Sequence, residues 1–166
     1  MENHVLEFAC IGVENSGTFS AEHTGRGLDV SPEFVIKNLS PNAQTIAVTL
    51  EDLTHPIKNF THWIIWNIPA ADRIKAQIPT GANVPGMGGT RQGIGYGLHK
   101  YAGPKPPKGK THTYRFTVYT LDCKIELSVH STKRAFLKKA EKHILQKGSI
   151  ASSFEGGYPH GTYGIF

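Results

Sequence analysis

The sequence predicts a mainly β fold, a β-sandwich, on three observations. Residues 34–37, 45–51, 61–68 and 114–121 are short runs rich in β-branched and aromatic side chains. Gly, Pro, Asn and Asp separate the runs, as turns require. A single segment, residues 131–148, carries an apolar stripe at helical spacing. Many short strands around one apolar core imply two packed sheets.

In the run 45–51, side chains alternate across the strand, so Ile46, Val48 and Leu50 share one face and Asp52 ends it. The next run places His62, Ile64, Trp66 and Ile68 on one face, and residues 53–61 connect the two segments. Asp52 and His62 are therefore expected at the same end of a hairpin. The third run puts His112, Tyr114, Phe116 and Val118 on one face, and His112 follows the stiff stretch Pro104, Lys105, Pro106, Pro107. Whether His112 lies at the same end as Asp52 and His62 stays open at this level. Between the runs lie two long loops, residues 71–85 and a Gly-rich stretch 86–109, and loops of this length in compact domains commonly carry function. The Gly-rich loop holds no GxxxxGK[ST], so it does not cradle phosphate as a P-loop does.

The helix is read from Ser131 as N-cap to Gly148 at C′, with Lys147 suiting the negative end of the dipole. Phe136, Leu137, Ala140, Ile144 and Leu145 form its apolar stripe, and Lys133, Arg134, Lys138, Lys139 and Lys142 form a solvated outer face.

The 166 residues, 39% of them hydrophobic, suffice for one domain spanning 1–166 that needs neither disulfide nor structural metal. No run approaches the ~18 apolar residues of a membrane helix. The start, with Glu2 and Glu7, lacks the apolar core of a signal peptide, so a cytoplasmic location is expected. Cys10 and Cys123 form no CxxC pair and are expected as buried thiols. A net charge of +5 admits an anionic partner, but the basic residues mark no nucleic-acid surface.

If Asp52, His62 and His112 converge, two imidazoles and nearby backbone N–H groups can donate to an anion while Asp52 orients one ring. The bland alternative is an Asp that caps a turn and two satisfied core-edge histidines. Asp with two His is also a ligand set for zinc or iron, but the residues lack short metal-ligand spacing, and no metal is assigned. His55 is read as a surface residue, and His99, Lys100 and Tyr101 as lining the Gly-rich loop or solvated. The tail from Gly156, with Tyr158, His160, Tyr163 and Phe166, covers the site or packs on the sandwich. No GxSxG elbow is present, so no catalytic residue is assigned.

These segments resemble the phosphatidylethanolamine-binding protein family, also called the Raf kinase inhibitor protein family, most closely its prokaryotic branch. The resemblance rests on Asp29-Val30-Ser31-Pro32 followed by Asn38, the hairpin from Asp52 through His62-Trp63 to Asn67-Ile68-Pro69, and residues 101–109, Tyr-Ala-Gly-Pro-Lys-Pro-Pro-Lys-Gly, leading to His112, Tyr114 and Tyr119-Thr120-Leu121-Asp122. It implies an antiparallel β-sandwich with Greek-key character, one or two peripheral helices and a small anion pocket at one end. By resemblance Asp52 matches the first acid of the DPDAP motif, with Glu51 the competing match and Asp52 preferred if the hairpin has no bulge. Pro56 matches its last proline, His62 and His112 the pocket histidines, and Pro106 and Pro107 the proline pair of the wall. Tyr114 and Trp63 would supply further walls. Here Asp52-Leu53-Thr54-His55-Pro56 replaces DPDAP and loses the second acid, so the pocket should be less acidic. Thr113 stands where Arg is customary.

The resemblance implies a regulatory binding module for a small anion, a phosphate, phosphorylated or carboxylate compound, with a kinase or protease as protein partner. It calls for no cofactor, nucleic acid or membrane insertion. Two alternatives remain: a phosphoryl or ester hydrolase using the same Asp and His residues, and an oligomeric scaffold, such as a homodimer, with a vestigial pocket.

Overall fold

A computed structural model of the chain describes residues 4–157. Its elements are β1 (Phe8–Cys10), β2 (Gly17–Thr18), a 3-10 turn (Ala21–His23), β3 (Phe34–Ile36), β4 (Thr45–Asp52), β5 (Phe60–Pro69), β6 (Arg73–Ile74), β7 (Arg91–Gln92), β8 (Thr111–Leu121), α1 (Lys133–Ala140) and β9 (Ile144–Glu155). The four strands expected from composition are all present. A six-stranded sheet runs β2-β9-β8-β4-β5-β7 and faces a three-stranded sheet β1-β3-β6. All pairs are antiparallel except β2 with β9.

The core between the sheets draws Phe8, Phe34 and Ile36 from the small sheet and Val48, Leu50, Trp63, Phe116 and Val118 from the large one. A second core covers the outer face of the large sheet, where Ala47, Ile64, Trp66, Tyr119 and Leu121 meet Phe136 and Ala140 of α1. Both faces of β4 are thus buried along its whole length, which a half-buried strand would not allow.

The helix expected over 131–148 is shorter. It starts after Thr132, whose hydroxyl accepts from the Ala135 amide, and it closes at Ala140. Ile144 and Leu145 belong instead to β9, in which Gln146, Gly148, Ile150 and Ser152 are buried in alternation. Gly148 is no helix cap: it pairs with Val118, and a Cβ there would lie 2.0 Å from the Leu6 carbonyl oxygen. Pairing with β8 over eleven positions overrides the local apolar spacing. Of the basic outer face, Arg134, Lys138, Lys139 and Lys142 are exposed as expected, whereas the Lys133 ammonium pairs with the buried Glu51 carboxylate.

Cys10 is buried and Cys123 half-buried, both as free thiols. Among the described residues, no helix is long and apolar enough to cross a membrane. The expected coverage by Tyr158, His160, Tyr163 and Phe166 lies outside the described residues.

Candidate functional site

The site forms where β4 ends and β5 and β8 begin. Asp52 lies opposite Tyr114 in the β4–β8 ladder, so His112, two residues earlier on the same face, comes beside the carboxylate. The His112 Nδ1–H donates to Asp52 Oδ2 at 2.7 Å. The other oxygen, Oδ1, accepts from the Thr54 and His55 amides at 2.9 and 3.0 Å. Asp52 therefore caps a turn and orients an imidazole at once, and its 3% exposure makes both sets of partners necessary.

His62 reaches the site by a route that alternation does not give. Leu50 pairs with Trp63 and Glu51 with Thr61, so His62 is the extra residue of a β-bulge. A second register shift lies between Ile46 and Val48. As a result the expected face His62, Ile64, Trp66, Ile68 is broken: Ile64 and Trp66 pack under α1, and Ile68 lies in the inter-sheet core. The hairpin is bulged, yet Asp52 is still the acid beside His112, because the shifts insert residues into β5 and leave the alternation of β4 intact. Glu51 faces the opposite side and pairs with Arg115 and Lys133.

The His62 Nδ1–H donates to the Ala102 carbonyl at 2.9 Å. Burial lowers the His62 pKa below its ordinary value, against the opposing effects of the Ala102 hydrogen bond and the Asp52 charge, so the ring is neutral at pH 7. In both histidines Nδ1 is engaged, and Nε2 is the nitrogen left for a ligand. Tyr114 stands between them, its ring edge-on to His62 at 5.4 Å and 6.2 Å from that of His112. Burial and the Asp52 charge push its hydroxyl far up, so it stays protonated.

Residues 101–107 form the wall that receives His62, and the Asp29 region locks it. The Gly103 amide donates to Asp29 Oδ1 at 2.7 Å, the Tyr101 hydroxyl to the His23 carbonyl at 2.7 Å, and Arg26 Nη2 to the Pro106 carbonyl at 3.0 Å. Pro106 is buried and Pro107 exposed. Gly156, just past the end of β9, lies against them, and a Cβ there would meet their carbonyl oxygens at 2.2 to 2.3 Å.

One site assignment changes. Trp63 is no wall that a ligand touches: it is fully buried, donates from Nε1 to Gln92 Oε1 at 2.8 Å and packs edge-on against Tyr101. Pro56 is exposed in the β4–β5 turn. His55 is more than a surface residue, since it stacks on Phe60 at 3.9 Å and 7°. Tyr96 and Phe60 are residues that sequence reasoning missed; Tyr96, 57% exposed, lies 5.0 Å from the His62 ring and 6.1 Å from Phe60. Phe60 and Tyr96 thus make an aromatic rim beside His62. His99 and Tyr101 are structural, His99 bonding the Gln92 carbonyl. Thr54, at the place of the second acid of DPDAP, accepts from the Thr113 amide at 2.8 Å, which leaves Asp52 as the acid beside the imidazoles.

The Asp52, His62 and His112 set is not where a metal-like cluster forms. Among the described residues, the Asp, Cys and His group whose ligand atoms lie within 4.8 Å of one another is Asp122, Cys123 and His143.

Comparison with known proteins gives the family and the fold. A family model described as phosphatidylethanolamine-binding protein matches residues 11–155. The UPF0098 protein of Pyrococcus abyssi is 34% identical over 165 residues, covering 91% of this chain and 93% of that protein. A UPF0098 protein of Pyrococcus horikoshii is 34% identical over 143 residues, 85% of this chain and 72% of its own length. Among solved structures, Escherichia coli YbcL, a member of the mammalian PEBP family, superposes with a TM-score of 0.81 at 22% identity, covering 92% of this chain and 99% of its own. CT736 of Chlamydia trachomatis, a PEBP homologue, gives 0.77 at 19% identity, covering 93% and 100%. These two likenesses show the fold.

Proposed function

The chain belongs to the phosphatidylethanolamine-binding protein family, and within it we propose that the Asp52, His62 and His112 site is a regulatory, non-catalytic binding module for a small anion of the phosphate or carboxylate kind. One observation carries the reading: Asp52 and the Ala102 carbonyl each take the Nδ1–H of one histidine, so the two Nε2 atoms are the ring nitrogens left for a ligand.

The arrangement also sets the binding chemistry. A neutral imidazole whose Nδ1 carries the hydrogen presents a lone pair at Nε2, which repels an anion. For its Nε2 to donate to the anion, His62 must therefore gain a proton on binding, and the anion in turn favours the imidazolium. The Tyr114 hydroxyl, held protonated, is a further polar group of the site, while Phe60 and Tyr96 offer apolar surface for a substituent. A cytoplasmic kinase or protease fits this module as the protein partner it would regulate.

The test is calorimetric titration of the full chain with inorganic phosphate and with O-phosphorylethanolamine, beside His62→Ala and His112→Ala. Saturable binding that each variant weakens supports the module, and binding that neither variant alters contradicts it. A preference for O-phosphorylethanolamine would assign the aromatic rim to the substituent.

The Asp52 to His112 hydrogen bond also supports a second reading, since it is the pairing that holds a general base in a hydrolase. In Asp52→Asn an acid–base mechanism loses turnover of a phosphate ester, whereas a binder keeps most of its affinity. For the scaffold reading, light scattering at two concentrations gives the oligomeric state.

A further inference from the structure

Glu51 and Asp52 are neighbours that point to opposite faces of the large sheet, and the face that Glu51 enters holds a feature the site above does not use. Beside α1 a cleft of about 750 Å3 opens over β8 and β9. Five cations line it, Lys58, Arg115, Lys133, Arg134 and Lys147, against the carboxylate of Glu51. This is a net of four positive charges in one cleft of a chain whose formal net charge is +5.

Internal pairing does not account for this concentration. Glu51, 3% exposed, neutralises one charge of the Arg115 and Lys133 pair. Burial pushes its carboxyl up, but the hydrogen bonds and charges of Lys133 and Arg115 more than offset this and hold it ionised. Lys58 and Arg134 have no ion-pair partner among the described residues, and Lys147 lies over the Tyr119 ring at 5.8 Å. The Arg115 Nε is buried with no hydrogen-bond partner among the described residues. Lys133 and Arg134 also open α1, whose first turn has no acid, so their charges oppose the positive end of its dipole. Like charges gathered without partners destabilise a fold and point to a ligand of the opposite sign.

We propose that this cleft is a second binding site, independent of Asp52, His62 and His112, for a small molecule carrying several phosphate groups. The floor suits that chemistry. Thr117 and Ser149 are cross-strand partners whose hydroxyls bond each other at 3.0 Å; that bond takes one hydroxyl hydrogen and leaves the other to turn toward a phosphoryl oxygen. The volume is that of a small-molecule pocket, and α1 and the β4–β5 turn flank it on two sides, which makes a local cleft rather than the extended basic stripe that tracks a nucleic-acid backbone.

The experiment is titration of the full chain with inorganic tripolyphosphate and with orthophosphate, followed by calorimetry and backbone amide NMR. Lys58→Ala with Arg134→Ala, and separately Lys147→Ala, remove cations at exposed positions, and His112→Ala tests the other site. The expected result is 1:1 binding tighter for tripolyphosphate, with shifts at Thr117 and Ser149. It should weaken about tenfold or more in the double variant, about 1.4 kcal/mol, weaken in Lys147→Ala, and persist in His112→Ala. Absence of saturable binding, unchanged affinity in the cation variants, or loss of binding in His112→Ala would overturn the proposal. So would tighter binding of a single-stranded RNA or an acidic peptide through the same residues, which would assign the cleft to a macromolecule.

Discussion

Asp52 divides its two oxygens between a turn and an imidazole, and that division predicts how its variants behave. In Asp52→Asn the side-chain oxygen still accepts from the Thr54 and His55 amides, so the turn persists and phosphate affinity stays within about tenfold of wild type. In Asp52→Ala the caps and the His112 partner are lost together, and destabilisation of ~1–3 kcal/mol is expected from urea unfolding. His62 makes a separate prediction. Its folded pKa is lowered by burial, so the unfolded chain takes up a proton more readily. The contribution is fully present above the unfolded value near 6.5 and is lost as pH falls through the folded value. The urea midpoint of wild type should therefore drop more steeply below pH 6.5 than that of His62→Gln. Equal slopes would show that His62 is not the group responsible.

At the scale of elements, β9 and α1 decide whether the large sheet holds. A side chain at position 148 would meet the Leu6 carbonyl, so Gly148→Ala should force the N-terminal segment off β9 and destabilise the fold by ~1–3 kcal/mol. Phe136, 0% exposed between Trp66 and Tyr119, seals the outer core, and Phe136→Ala should lose ~3–5 kcal/mol in the same assay. These elements also mark what a sequence can tell. β4, β5 and β8 were legible because their β-branched and aromatic residues face cores on both sides. β9 was hidden, since Gln146, Gly148 and Ser152 at its buried positions carry no apolar period. The three residues of β1 and the two of β2 are too few to show one. The unbroken alternation of β4 and β8 sets the faces of Asp52, His112 and Tyr114, but only the register that lays Asp52 opposite Tyr114 brings His112 to the carboxylate. His62 does come to lie beside Tyr114 and the Ala102 carbonyl, but its bulge breaks the face argument that points to it, because register shifts leave no mark in residue type. Tyr96 sits in a Gly-rich stretch without periodicity, so only tertiary contacts bring it to His62.

Across the whole molecule, the large sheet separates two kinds of electrostatics. On one face a buried acid and two imidazoles make a small site that answers to pH, and on the other five cations make a cleft that answers to salt. Raising ionic strength should weaken binding at the exposed cations of the cleft more than at the buried histidines, since screening acts most on exposed charges. The central claim is that one anion engages both histidines and brings a proton with it. Long-range 1H–15N NMR of the imidazoles, recorded near pH 7 with and without inorganic phosphate, tests it most directly. The expected spectrum without phosphate shows a neutral His62 ring carrying its hydrogen on Nδ1, and with saturating phosphate both histidines shift and His62 moves to the imidazolium pattern. Rings that do not change when phosphate is added would contradict the claim.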